Sequence, residues 1–439
     1  MSEFERSFSV ENLDATVEEI IDNHFDVVAE RCRISTGADR IELAHFLRDR
    51  EKHVTAISRK VLSGRFTFNP FLEREIPKPE SKDTRTISIA SIRDSVVQRT
   101  LYHHVYELIE ARLSESVFGY RNGRSAHDAV RLIKRYLKDG RVFVFDADLR
   151  KFFDTLDHDV LLSQVGTLGL EERATTLIRR FLKTGRIPSK QVIEHRTATG
   201  KQRKYSPEPR IVGVPQGGVL SGLLSNLYLS EFDAKSRQQH EGYVRYADDF
   251  LVCCSSEDEC LQVRALAEKT LSQLKVGLHP DKTKTCVSGE LGVNFLGFRI
   301  STRGVRVRGR NVAKFKSRIK GVLASQELRD SPEQTLQSLV LRLSYKIRGP
   351  NKEQIRKLAE RGKRVSLGRR SWIGYFRIVD DIDQIRRLDR WLRGQVSRFM
   401  AENYRQRTTL CVMQSYGLPS LVNCLWKARA PSVGIEADR

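Results

Sequence analysis

Three aspartates lie where apolar, strand-like segments end. VFVFDADL (142–149) carries Asp148, and VRYADDFLVCC (244–254) carries the adjacent pair Asp248 and Asp249. A buried carboxylate without a partner is costly, and clustered carboxylates repel one another unless cations lie between them. Hard divalent ions prefer oxygen ligands, and Mg²⁺ is the one best suited to phosphate chemistry. The pattern therefore indicates a site for two Mg²⁺ ions, with Mn²⁺ as an alternative, that promotes in-line phosphoryl transfer.

An Asp–Asp pair taken alone has a simpler interpretation, a turn or a helix cap. The surrounding segments favour the metal site. Hydrophobic periodicity between residues 142 and 300 predicts the order β–α–β–β–α–β, which implies an antiparallel sheet with helices on one face. The same periodicity predicts helices over residues 1–64 and a helical, basic segment over 312–400. A strand end at Asp148 and a tight strand–turn–strand at 244–254 can then bring the three carboxylates together.

The charge of the chain predicts a polyanionic partner. The formal net charge is +22, and residues 301–400 alone hold 26 Lys and Arg against 9 Asp and Glu. A basic excess concentrated in one quarter of the chain favours nucleic acid binding over a merely solvated surface. The seven cysteines form no CxxC pair, which argues against zinc and for a reducing, cytoplasmic location. No apolar run is long enough to span a membrane, and the N-terminus does not look like a signal peptide.

The ordered set of motifs resembles the reverse transcriptases, and among them the group II intron-encoded and related bacterial enzymes. The palm of that family is matched by FDADLRKFFDTLDH, GVPQGGVLSGLLSNLYL and RYADDF, in this order. RTISIASIRDSVVQ and FGYRNGRSAHDAV resemble its fingers, HPDKTKT and VNFLGF resemble the end of its palm, and residues 369–396 resemble its helical thumb, or maturase, region. The match covers roughly residues 35–430, and its motifs are specific as a set although each is weak alone.

The resemblance implies an α+β fold of the right-hand polymerase type, with an antiparallel sheet in fingers and palm and an α-helical thumb. The implied domains are an N-terminal helical extension (1–64), fingers (65–140), palm with interleaved fingers elements (141–305), thumb (306–405) and a C-terminal tail (406–439). It also implies roles for individual residues. Metal ligands would be Asp148, Asp248, Asp249 and the backbone carbonyl of Leu149, and either Lys282 or Lys284 would protonate the leaving pyrophosphate.

The remaining implied roles concern substrates. Arg85 would hold the triphosphate of the dNTP, and Gln216 would contact nucleotide or template. Phe153 would lie under the sugar and exclude a 2′-hydroxyl, whereas its simpler interpretation is core packing. Tyr246 would support the nucleotide or the primer end. The implied primer grip comprises Phe295, Leu296 and Gly297, and the implied nucleic-acid-binding residues are Lys314, Lys316, Lys320, Arg361, Lys363, Arg364 and Arg369.

Two departures from the family pattern bear on function. Gly222 stands where the family usually has proline, and the chain shows no endonuclease motif after the thumb, which predicts a free-standing enzyme. The leading hypothesis is an RNA-directed DNA polymerase that takes dNTPs, an RNA template or a dedicated noncoding RNA, and makes DNA, in a role such as antiviral defence. The alternatives are a maturase that binds intron RNA during splicing and a DNA-templated or template-free polymerase. Template, priming mode and oligomeric state stay open.

Overall fold

Strand-like apolar segments and amphipathic helices alternate along the chain as its periodicity predicts. The computed structural model describes residues 1–26, 31–32, 34–77, 84–191, 206–349 and 371–429. The helices are Glu3–Ser7 (α1), Val10–His24 (α2), Leu43–Arg48 (α3), Arg50–Leu62 (α4), Ile92–Glu110 (α5), Ala126–Lys138 (α6), Phe152–Thr155 (α7), His158–Gly166 (α8), Glu172–Leu182 (α9), Val219–Gln239 (α10), Glu257–Gln273 (α11), Gly309–Ala324 (α12), Pro332–Arg348 (α13), Trp372–Tyr375 (α14), Ile382–Tyr404 (α15), Leu410–Ser415 (α16) and Leu421–Arg429 (α17). The strands are Phe25–Asp26 (β1), Arg31–Cys32 (β2), Phe71–Pro77 (β3), Thr84–Ile89 (β4), Phe143–Asp148 (β5), Arg186–Ile187 (β6), Tyr243–Tyr246 (β7), Asp249–Cys254 (β8), Lys284–Ser288 (β9), Val293–Phe295 (β10), Phe298–Ser301 (β11) and Gly304–Val307 (β12).

The strands form small, mostly antiparallel sheets. One sheet has four strands in the order β7-β8-β5-β9, and two have three strands each, β4-β3-β6 and β10-β11-β12. Strands β5 and β7 both pair antiparallel with β8, whereas β6 pairs parallel with β3. Helices α10 and α11 pack on the four-stranded sheet. The predicted α+β class is therefore confirmed.

The described residues divide into two compact units. The first holds residues 1–26, 31–129 and 143–287, and the second holds 130–142 and 288–429. A single hydrophobic cluster runs through the first unit, from Phe4 to Val276. The segment 1–64 is mainly helical as predicted, but it also contains the short β1–β2 pair. Its helices contribute to the same hydrophobic core as strands β5 and β8, while the finer division into fingers, palm and thumb stays a prediction.

The second unit combines the sheet β10-β11-β12 with helices. Phe315 on α12 stacks on Trp372 with ring centroids 4.2 Å apart. Of residues 312–400, those that the structure describes (312–349 and 371–400) are helical in large part, but the first helix ends at Ala324. The next helix, α13, starts at Pro332, because the side chain of Ser331 caps it and proline fits its first turn. None of the helices that the structure describes is both long and apolar enough to cross a membrane.

Candidate active site

The three aspartates singled out in the sequence meet at one end of the central strand pair. In the antiparallel register of β5 and β8, Asp148 lies directly opposite Asp249, and β7 places Tyr246 opposite the same Asp249. Only Ala247 and Asp248 remain to connect β7 to β8. Asp248 is thus at the tip of a two-residue hairpin loop, a connection whose backbone commonly needs positive φ. Ala247 supplies it, with a φ of +58°.

A buried arginine holds this loop. Arg245 is fully buried on β7, and its Nη1 donates hydrogen bonds of 2.8 Å to the carbonyl of Ala247 and of 3.0 Å to Asn226 Oδ1. Its Nε and Nη2 donate to the two carboxylate oxygens of Asp233 at 2.7 and 2.6 Å. Tyr243 donates a further 2.6 Å hydrogen bond to Asp233. The loop of the catalytic hairpin is therefore anchored to helix α10 by a bidentate ion pair inside the core.

This ion pair was not predicted from the sequence. Arg245 and Asp233 lie in different elements, and a strand and a helix carry them to each other. The available signal was a charged residue in the apolar strand YVRY, where a cation needs a buried partner.

The site is strongly charged, and its charged groups shift one another's pKa values. Lys282 forms an ion pair with Asp148. Desolvation raises the pKa of Asp249 to about 7, with further contributions from the charges of Asp248 and Asp148, although the residue still reaches solvent. Desolvation and the charge of Asp148 likewise raise the pKa of Asp248. A nearby cation would therefore favour the ionised forms of Asp248 and Asp249.

The carboxylate oxygens of the three aspartates are ligands of the kind that hard divalent cations prefer. Their spacing in the structure is less suited to binding such a cation. Among the residues that the structure describes, no three His, Cys, Asp or Glu side chains converge as a ready metal site. The backbone of Leu149, the fourth predicted ligand, is next to Asp248, because its N–H donates to the Asp248 carbonyl at 3.2 Å.

The structure separates the two lysines that the sequence left open. Lys282 contacts Asp148, and the negative charges of Asp148, Asp249 and Asp248 raise its pKa against the opposing effect of desolvation. Lys284 begins β9 and is exposed. Position therefore favours Lys282 as the proton donor.

Two of the predicted nucleotide-contacting residues, Phe153 and Gln216, lie on segments that hydrogen-bond to each other. Phe153 is half-buried on α7, and its carbonyl accepts a 2.8 Å hydrogen bond from Val214 N–H. Gln216 donates to Asp154 at 2.9 Å, and its carbonyl accepts from Ser88 N–H on β4 at 2.7 Å.

Gly213 begins the loop of residues 213–218, which contains Gln216. It has a φ of +76°, and a Cβ added to it would be 2.7 Å from the carbonyl oxygen of Asp154. The loop at 213–218 is thus fastened to the turn that carries Phe153. Arg85 is exposed on β4, opposite Ile76, three residues before the strand's contact with Gln216.

The predicted primer grip is a tight hairpin turn in the second unit. Phe295 pairs with Phe298, and the intervening Leu296 and Gly297 have φ values of +49° and +83°. Tyr375 donates a 2.8 Å hydrogen bond to the Leu296 carbonyl. The turn is therefore well fixed within its unit, and its role at a primer stays a prediction.

The predicted basic residues are described only in part. Lys314, Lys316 and Lys320 lie on α12, where Phe315 and Ile319 form the buried side. Lys316 is already engaged, with its Nζ 5.3 Å from the ring centroid of Trp391. The other four predicted residues, Arg361, Lys363, Arg364 and Arg369, lie outside the described residues.

Comparison with known proteins decides the family. The family model described as reverse transcriptase (RNA-dependent DNA polymerase) matches residues 76–300, which is more than half of the chain. The chain belongs to the reverse transcriptase family. The predicted recognition and enzyme class are thereby confirmed, and all three aspartates fall within the matched reverse transcriptase segment.

Individual relatives agree with this assignment. The chain is 31% identical to the protein YkfC of Escherichia coli (strain K12), over 55% of this chain and 69% of YkfC. It is also 31% identical to the group II intron-encoded protein LtrA of Lactococcus lactis, over 42% of this chain and 28% of LtrA. A putative COX1/OXI3 intron 1 protein of Saccharomyces cerevisiae is 22% identical over 60% of this chain and 38% of its own length. The chain thus spans well under half of the two intron proteins.

Among solved structures, a telomerase from Candida albicans aligns over 88% of this chain and 66% of its own, with 14% identity and a TM-score of 0.42.

Proposed function

We propose that this reverse transcriptase family member is an RNA-directed DNA polymerase that adds dNTPs to a primer 3′-hydroxyl. The observation that carries the proposal is the opposition of Asp148 and Asp249 across β5 and β8, with Asp248 at the adjoining loop. Three carboxylates at the end of one strand pair form the donor set that phosphoryl transfer with two cations needs.

Asp148, Asp248, Asp249 and the Leu149 carbonyl would hold two Mg²⁺ ions. When bound, these ions would activate the 3′-hydroxyl and neutralise the charge on the departing pyrophosphate. Lys282, which contacts Asp148, would move to the pyrophosphate and donate a proton there.

The remaining residues would bind and orient the substrate. Arg85 would bind the triphosphate through charge-assisted hydrogen bonds. Gln216 would contact the nucleotide or the template from its anchored loop, and Tyr246 would support the nucleotide or primer end beside Asp249. Phe153 would lie under the sugar and exclude rNTPs.

Primer extension on matched templates tests the reaction. We expect Mg²⁺-dependent dNTP incorporation when a DNA primer is annealed to an RNA template. The comparison is the same primer on a DNA template of identical sequence. Extension on DNA alone would contradict the RNA-directed assignment and would favour the DNA-templated polymerase.

The biological partner is a finer proposal. A dedicated structured noncoding RNA and a role in antiviral defence fit a polymerase of this kind. A second candidate, an intron-RNA-binding maturase, is favoured by the names of relatives such as LtrA and nuclear intron maturase 2 of Arabidopsis thaliana. Sequencing the RNA that co-purifies with the protein separates them, since intron RNA supports the maturase and one recurring noncoding RNA supports the first role.

Nucleic acid binding by α12 gives a quantitative prediction. Charge reversal of Lys314, Arg318 and Lys320 to Glu should lower the affinity for primer–template. It should also flatten the plot of log affinity against log salt by about one unit for each phosphate that the helix no longer neutralises. Lys316 is left unchanged because it contacts Trp391. The measurement is a filter-binding or anisotropy titration at several salt concentrations.

The matched control changes the net charge equally on another helix. Reversal of the exposed Lys52, Arg59 and Lys60 on α4 removes the same number of positive charges. If both variants lose affinity equally, the effect is one of net charge alone, and α12 is not a specific part of the interface.

A further inference from the structure

Tyr120 lies beside the nucleotide-contacting residues but was not among those predicted from the sequence. It belongs to the loop FGYRNGRS, has a φ of +58°, and is 49% exposed. Its ring meets that of Phe153 edge-on, with centroids 6.1 Å apart and an interplanar angle of 89°. An aromatic side chain that served only the core would be buried. Tyr120 is instead half open to solvent while it supports the proposed sugar-excluding ring.

A glycine on α10 makes room for this tyrosine. A Cβ placed on Gly222 would be 2.5 Å from Tyr120 Cγ and 2.6 Å from Cδ1, distances that no real side chain tolerates. Any other residue at this position, proline included, brings that Cβ. The ring of Tyr120 can therefore occupy this place only because residue 222 is glycine.

The backbone around Tyr120 cannot easily shift to relieve such a clash. The Gly119 carbonyl accepts a 2.8 Å hydrogen bond from Asn226 Nδ2, and Asn122 N–H donates a 2.8 Å hydrogen bond to Tyr106 Oη. Phe118 N–H also bonds the Arg245 carbonyl at 2.9 Å. A Cβ at Gly222 would therefore displace the ring of Tyr120 rather than the loop.

Tyr120 also lies within the electrostatic reach of the catalytic loop. Desolvation, followed by the negative charge of Asp248 and the neighbouring Tyr246, raises its pKa to about 12. The ring of Tyr120 therefore contacts Phe153 and lies close enough to Asp248 for the charge of that carboxylate to act on its hydroxyl.

We propose that Tyr120, seated in the notch at Gly222, is a specificity-determining residue that fixes the Phe153 ring and so sets the preference for dNTPs over rNTPs. This inference rests on the proposed role of Phe153. In this proposal, the discrimination between dNTPs and rNTPs depends on two contacts. The Phe153 ring excludes the 2′-hydroxyl, and its position depends on the contact of the Tyr120 loop with helix α10.

The test compares the ratio of kcat/KM for a dNTP to that for the matching rNTP in the full chain. Gly222→Ala and Tyr120→Ala should each lower the ratio by about tenfold, the size of effect that modest changes in pocket shape produce. In the Tyr120→Ala background, Gly222→Ala should have a much smaller effect, because the ring atoms that it displaces are gone and only the Cβ of residue 120 remains, at 3.1 Å. Tyr120→Ala alters an exposed loop residue, so it keeps the test informative if Gly222→Ala folds poorly.

Two further variants separate the possible failures. Gly166→Ala on α8 is the matched control, because a Cβ there meets nothing within 4 Å. Phe153→Val should lower the ratio on its own. If Phe153→Val lowers it while Gly222→Ala and Tyr120→Ala behave like Gly166→Ala, the role of Tyr120 is overturned and that of Phe153 stands. If Phe153→Val leaves the ratio unchanged, both are overturned.

Discussion

Replacement of Asp248 and Asp249 by alanine is expected to abolish Mg²⁺-dependent dNTP incorporation. The double variant removes two of the three carboxylates that meet at the end of β5 and β8, and Asp148 alone cannot hold two cations. Primer extension under single-turnover conditions measures the effect. The matched control is Asp258→Ala, since Asp258 is an exposed aspartate in the first turn of α11. Near-normal extension by the double variant would refute the assignment of the site.

A thermal unfolding assay gives this prediction a readout that does not depend on activity. Without metal, desolvation and the charges of the neighbouring carboxylates both disfavour the ionised forms of Asp248 and Asp249, and both raise the pKa values of these groups. The double variant should therefore unfold at a higher temperature than the wild type in EDTA. Added Mg²⁺ should raise the unfolding temperature of the wild type by binding to the folded state, and should not do so for the variant.

Replacement of Arg245 by methionine is expected to cost roughly 3–5 kcal/mol of unfolding free energy, because it leaves Asp233 buried without its cation. Both members of the pair are fully buried, so solvent cannot compensate for the loss. Urea denaturation measures the change. Arg264→Met is the control, because Arg264 and Glu268 form an exposed pair four residues apart on α11, and its loss should cost less than about 1 kcal/mol.

A combined variant separates the structural role of Arg245 from its role in the catalytic loop. Arg245→Met together with Asp233→Leu and Tyr243→Phe removes the charges and the hydroxyl of the network at once, and should recover much of the lost stability. Incorporation should stay low, because the Ala247 carbonyl still lacks its hydrogen-bond donor. Recovery of activity along with stability would show that Arg245 only stabilises the fold.

Much of the site was predictable because its signals are local. Apolar runs that end in aspartate predicted both strand ends, and the strand–turn–strand pattern at 244–254 predicted a hairpin, whose loop in the structure is Ala247 and Asp248. The choice between Lys282 and Lys284 was not predictable, since both lie in one short segment and only the chain path past His279 shows which one reaches Asp148. Arg245 with Asp233, and Tyr120 with Gly222, were missed because each pair joins two separate elements. The charge in YVRY and the glycine at 222 are visible in the sequence, but nothing local indicates the partner of either.

The direct opposition of Asp148 and Asp249 restricts how this chain can change in length. Side chains along a strand alternate between the two faces of the sheet, so an insertion or deletion of one residue within β5 or β8 would turn one of the two carboxylates to the opposite face. Substitutions at the apolar positions of these strands alter packing only by degrees. The number of residues between these positions and the aspartates cannot change gradually. Homologues that keep the chemistry should therefore vary in length outside β5, β8 and the two-residue connection from β7 to β8.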